Sequence, residues 1–294
     1  MNATSPFLKK NSPIFWAVAF IILMSNFAKA ELPQAVSLDI CADQYLLSLA
    51  ERSQIIAVST WADSENSYYR SRAADLNKIA GTVEEVLNIK PDVVIGSDRA
   101  FMVLPALKFY GIETNTPAYG HDAKILFKNL KDFGDALGRS VQAEKIIFNY
   151  KKRLQSLQSL PRSEIKIAYI TPSGFTGGEG TYINDIIKLA GFSSYAQDRQ
   201  ITGWQPISLE QFLLSPPDLI VSSFFDDNEV HVSHWSLTRH PKINQVMNQI
   251  PTISIPGDLI SCGGLFSIEI AEYINEFSAK ILKDQAINEK GHNQ

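Results

Sequence analysis

Two histidines three residues apart, His231 and His234, stand in a segment that also carries Asp226, Asp227 and Glu229 (FFDDNEVHVSHW). Imidazoles and carboxylates at this spacing can ligate a metal ion, or sit on the metal of a bound complex, although exposed acidic loops often only solvate a surface. The aromatics Trp61, Tyr68, Tyr69, Phe101, Phe175, Trp204, Phe224, Phe225 and Trp235 fall mainly in predicted loops. Rings placed there give a broad, flat, partly apolar ligand a large contact area at little entropic cost, while any single one can be ordinary loop packing. The stretch TPSGFTGGEG lies between a strand pattern and a helix pattern, where backbone N–H groups can cradle an anion. It has no Lys between Gly174 and Gly180 and fits neither GxxxxGK[ST] nor GxGxxG. It reads instead as a flexible loop offering Phe175 and Glu179 to a ligand. Ser173 lacks a G-x-S-x-G frame, and His121, His231, His234, His240 and His292 form no catalytic signature. The chemistry on offer is binding, with no catalytic residue and no intrinsic cofactor.

The elements that must position these residues alternate between strand and helix. AVSL (35–38), a helix from about Ala42 and IIAVS (55–59) open the chain. VEEVLNI then reads as a helix stopped by Pro91, VVIG (93–96) as a buried strand, FMVLPALKFY as a helix broken near Pro105, and Ile112 to Asn115 as the start of another strand. Such alternation implies βαβ units and a mostly parallel sheet. Between Ser140 and Pro161 there is neither Gly nor Pro, and Ala143, Ile147, Tyr150, Leu154 and Leu157 make one apolar stripe on a long helix. The alternation restarts with IKIAYI (165–170) and the helix TYINDIIKLAG. TVEEVLNIKPDVVIGS (82–97) is echoed by SLEQFLLSPPDLIVSS (208–223), so that Glu84, Leu87, Pro91, Asp92 and Ser97 recur as Glu210, Leu213, Pro217, Asp218 and Ser223. A pair of related lobes facing each other would put a ligand cleft at their junction.

Lys9 and Lys10 precede an 11-residue apolar run, Ile14 to Met24, and Ala28-Lys29-Ala30 supplies small residues at a cleavage site. That order is a secretory signal peptide, too short to span a bilayer, with cleavage expected after Ala30. Residues 1–30 hold three lysines and no acid, so their removal makes a chain of net charge −4 more acidic still. This argues against a nucleic-acid partner. Export also puts Cys41 and Cys262, the only cysteines, where disulfides persist.

With AVSLDICADQYLLSLA, VSTWAD, GTVEEVLNIKPDVVIGS, the mid-chain helix and PGDLISCGGLFSIEIAEYI in hand, the chain resembles the periplasmic substrate-binding proteins of ABC transporters, of the iron-siderophore and cobalamin type (class III). The resemblance implies an α/β fold of two Rossmann-like lobes joined by a single long α-helix. The expected division is a signal peptide (1–30), an N-terminal lobe (31–120), a helical linker (121–161) and a C-terminal lobe (162–294). It also implies a largely preformed cleft, lined by the loops at 39–43, 60–69, 171–180, 224–235 and 256–266. Cobalamin or another corrinoid is the expected ligand, with a ferric siderophore or haem as alternatives, delivered by a monomer to a permease dimer in the inner membrane. The expected ligand contacts are Trp61, Tyr68, Tyr69, Phe101, Phe175, Trp204, Trp235, Cys41 and Cys262, with His231 and His234 as metal ligands. The resemblance brings Cys41 and Cys262 to the cleft, where an inter-lobe disulfide, two free thiols and a soft metal-ligand pair all stay open. It assigns Glu84 and Glu210 to docking on the two permease subunits. The family pattern does not fix the segment 224–235. A periplasmic hydrolase and a sensor subunit are the rivals from other classes.

Overall fold

The computed structural model describes residues 31–118, 120, 122–223 and 241–292. The first sheet is built from β1 (Ala35–Ser37), β2 (Ile55–Ser59), β3 (Lys78–Ile79), β4 (Val93–Ile95) and β5 (Glu113–Asn115), ordered β3-β2-β1-β4-β5. All its pairs are parallel, and β1, β2 and β4 read as short apolar runs because helices cover both faces. On one face, α1 (Ile40–Leu49) and α5 (Ala123–Ala136) bury Leu46, Leu49, Leu130 and Phe133 against Val58 and Ile95. On the other, α3 (Val83–Ile89) and α4 (Val103–Phe109) cover Val36, Ala57 and Val94 with Val86, Leu104 and Leu107. A short helix, α2 (Arg70–Ala73), lies between β2 and β3. Pro105 does not break α4: it sits in the first turn, where a proline ring is tolerated, and the helix runs on past it.

The second sheet repeats the plan. It holds β6 (Lys166–Ile170), β8 (Ser193–Ser194), β10 (Leu219–Ser222) and β11 (Thr252–Ser254), ordered β11-β10-β6-β8 and parallel throughout. The segment expected to be a flexible loop instead forms β7 (Phe175–Gly177), antiparallel to β9 (Trp204–Pro206). Beyond that pairing Gly178 N–H donates to Gly203 O, and a Cβ on Gly178 would lie 2.0 Å from Ile201 O. Glycine there permits backbone-to-backbone approach and has nothing to do with flexibility. Between and after these strands come α7 (Tyr182–Leu189), α8 (Tyr195–Asp198), α9 (Leu209–Leu214), α10 (Pro241–Met247), α11 (Gly257–Ile260) and α12 (Ser267–His292). Among the described residues no helix is long and apolar enough to cross a membrane.

The sequence echo is one interaction made twice. Asp92 Oδ2 accepts from Gln34 N–H at 2.8 Å just before β1, and Asp218 Oδ2 accepts from Lys166 N–H at 2.8 Å at the start of β6. Each Pro-Asp stop thus hooks a new strand to the strand beside it. Thr82 and Ser208 cap α3 and α9 through Glu85 N–H and Gln211 N–H.

Between the sheets runs α6 (Ser140–Gln158). Its apolar stripe divides along its length: Ala143 and Ile147 pack on the first core, Leu154 and Leu157 on the second, and Tyr150 on both. The Arg153 guanidinium then grips α12 with Nε 2.9 Å from Glu272 Oε1 and Nη1 2.7 Å from Glu269 Oε1. Both lobes belong to one unit, Pro33–Gln294.

Candidate ligand-binding site

In open parallel sheets ligands bind outside the carboxyl ends of the strands, where the strand order switches direction. In the first sheet that point lies between β1 and β4, and one carboxylate spans it. Asp39 caps α1 by accepting from Cys41 N–H and Ala42 N–H at 3.1 and 3.0 Å, and its Oδ2 accepts from Ser97 N–H at 2.7 Å, beyond β4. The loop so fixed carries Phe101 and Met102, 69% and 75% exposed. One turn on, the wholly buried Asp43 accepts from Ser37 Oγ (2.5 Å), Ser59 Oγ (2.6 Å) and Ser59 N–H (3.0 Å), tying α1 to the ends of β1 and β2. Trp61 follows directly, 58% exposed.

Burial pushes the Asp43 carboxyl up to about 6, against the pull of its serine donors. Since the folded value lies above the unfolded one, the fold holds the proton more tightly than the open chain does. The stability this group contributes is complete below the unfolded value near 3.8 and is lost as pH rises through about 6.

In the second sheet the switch lies between β6 and β10, and it is spanned by the Tyr169 and Ser223 hydroxyls at 2.5 Å. Trp204 stands over this pair, its ring centre 5.8 Å from those of Tyr169 and Tyr182. Phe175 and Trp204 share one face of the antiparallel β7–β9 pair by register, and both are partly exposed.

The loops beyond the two sheets meet. Cys41, in the first turn of α1, is disulfide-bonded to Cys262, after α11, with Cα atoms 5.3 Å apart. Tyr68 stacks on Phe266 at 4.4 Å between ring centres, and Arg70 Nη1 lies 2.7 Å from Asp258 Oδ2. Burial, and after it the Glu269 charge, raises the Tyr68 phenol above its ordinary value, so it stays a neutral hydrogen-bond donor. The carboxyl ends of both sheets therefore face one another across a covalently held junction. A family model for periplasmic binding proteins matches residues 36–232. The chain belongs to this family.

The fold of this periplasmic binding protein is shared with solved structures. The periplasmic heme binding protein HutB of Vibrio cholerae is 21% identical, with a TM-score of 0.68 over 83% of this chain and 98% of that one. The periplasmic heme-binding protein RhuT from Roseiflexus sp. RS-1, in apo form, is 17% identical (TM-score 0.65, 84% and 99%). The periplasmic vitamin B12 binding protein BtuF of Vibrio cholerae is 18% identical (TM-score 0.62, 84% and 96%). No curated protein sequence matches.

Of the residues singled out from sequence, Cys41, Cys262, Tyr68 and Tyr69 gather at the junction, and Phe175 and Trp204 gather on the β7–β9 pair. Tyr69 is half-buried and packs against both cores. With both sulfurs in a disulfide, neither Cys41 nor Cys262 has a thiolate for a ligand or a soft metal. Trp61 and Phe101 stand at separate strand ends of the first lobe. Trp235, His231 and His234 lie outside the described residues, as do Phe224 and Phe225; among those described, no group of three or more His, Cys, Asp or Glu could hold a metal ion. Glu84 and Glu210 are exposed in the first turns of the matched helices α3 and α9. Sequence reasoning placed Asp39, Asp43, Asp258 and Phe266 in cleft loops without giving any of them a role, and missed Tyr182. An aromatic next to a glycine-rich loop was a usable signal for Tyr182; the others depend on contacts between distant segments.

Proposed function

We propose that this periplasmic binding protein captures a flat, metal-bearing small molecule, a corrinoid or a haem, and hands it to the permease dimer of an ABC importer without chemically altering it. A ferric siderophore is the non-planar alternative. The observation that carries this reading is the set of exposed rings at opposed strand ends, Trp61 and Phe101 on one lobe and Phe175 and Trp204 on the other. A planar ligand needs an apolar face on each side, and rigid rings supply it at low entropic cost. The heme and vitamin B12 binders that share the fold support the ligand class. The proposal includes 121–161 as the connecting segment, with α5 packed on the first core and α6 crossing to the second, export by a signal peptide cleaved after Ala30, and action as a monomer.

Titration of the protein, purified from its periplasm, with haemin and with cyanocobalamin, followed by absorbance, tests this. One of the two should bind, and Trp61→Ala should weaken it by about 1–3 kcal/mol, roughly 5- to 150-fold. Full affinity in a folded Trp61→Ala variant places the site elsewhere.

A further inference from the structure

The Trp61 ring is largely exposed, so its position depends on the backbone beneath it. That backbone is hung from a buried charge. Trp61 N–H donates to Ser59 Oγ at 3.1 Å, and Ser59 Oγ donates to Asp43 Oδ2 at 2.6 Å. The same carboxylate takes the Ser59 N–H and, from β1, the Ser37 hydroxyl. One side chain on α1 therefore sets where β2 ends and where the following turn begins, and that turn continues from Ser59 through Ala62 N–H to Ser59 O. Hydrogen bonds to a carboxylate are shorter and stronger than neutral ones, and here they lie out of reach of water. An amide in the same place keeps one acceptor oxygen but turns its N–H₂ toward a serine hydroxyl, which must then accept where it had donated.

We infer that Asp43 is a positioning residue for the ligand contact at Trp61, acting through the Ser59 hydroxyl. The inference rests on the reading of Trp61 as a ligand contact. Its neighbours on α1 do parallel work: Asp39 fixes the Ser97 loop and Cys41 fixes the Cys262 loop, so alternate residues of one helical turn hold three cleft segments.

Two measurements on the full chain, exported and purified, test it with Asp43→Asn and Ser59→Ala. In a background with Trp204 and Trp235 replaced by Phe, Trp16 leaving with the signal peptide, the anisotropy of Trp61 fluorescence reports the turn without any ligand. Both variants should lower it at unchanged far-ultraviolet circular dichroism. In the native tryptophan background, Ser59→Ala should weaken binding of whichever of haemin and cyanocobalamin the unaltered protein takes up, by about tenfold, within the range for residues sharing one network. In a Trp61→Ala background it should weaken binding no further. Unchanged anisotropy overturns the inference, and so does an equal loss of affinity with Trp61 already absent. If neither probe binds the unaltered protein, the ligand class is wrong and the anisotropy still decides the positioning role. If Asp43→Asn does not fold, Ser59→Ala, which removes one hydroxyl, carries both measurements.

Discussion

Replacing Cys41 and Cys262 together with serine is expected to destabilise the protein by up to about 5 kcal/mol, because the bond joins positions 221 residues apart. In the chain-entropy view, closing so long a loop removes more freedom from the unfolded chain than closing a short one, and the gain is lost when the link goes. The ion pair across the same junction cannot replace it. The Arg70 side chain is 48% exposed, and a surface ion pair contributes about 0–1 kcal/mol. For a chain of this size the loss should lower Tm by roughly 10–15 °C, readable by calorimetry. A dithiol added to the unaltered protein should produce the same drop. A double-serine variant melting at the native temperature would mean that the cores alone hold the lobes.

Changing both Glu84 and Glu210 to Lys should reduce uptake to background while leaving ligand affinity and the fold nearly intact. The two carboxylates are exposed and occupy equivalent first turns, so a two-fold permease presenting basic residues would meet a matched pair. Reversal replaces attraction by repulsion at two places, and close charge pairs across interfaces have coupling energies of about 1.5–7 kcal/mol each. The fold should lose little: placing Lys instead of Glu against a helix N-terminus costs about 0.3–1 kcal/mol per site. Proteoliposomes carrying the cognate importer, supplied with ligand-loaded variant protein, give the readout. Normal uptake sinks the docking assignment. Loss of ligand binding would show that the glutamates serve the cleft.

What could be read from the sequence was what local pattern encodes. The buried runs at 55–59 and 166–170, the stripe on α6 and both Pro-Asp stops are set by periodicity and turn chemistry within a few residues. The β7–β9 pairing was not legible, because the glycines around β7 look like loop and its partner strand lies some thirty residues away. The roles of Asp39 and Asp43 within the loop at 39–43 were not legible, since their Ser97 and Ser59 donors come from distant segments. The loop rings were legible as candidate ligand contacts, but the Tyr68–Phe266 stack could appear only once both lobes were assembled.

The disulfide also decides how the molecule carries mechanical load. A pull applied through the two ends reaches Cys41 and Cys262 before it reaches β2 through β11, so 221 residue steps, roughly 750 Å of contour, are shielded from tension. The elements left in the line of force are β1 and α12. Because β1 lies between β2 and β4, its extraction splits the first sheet down the middle, while the second sheet stays unloaded inside the closed ring.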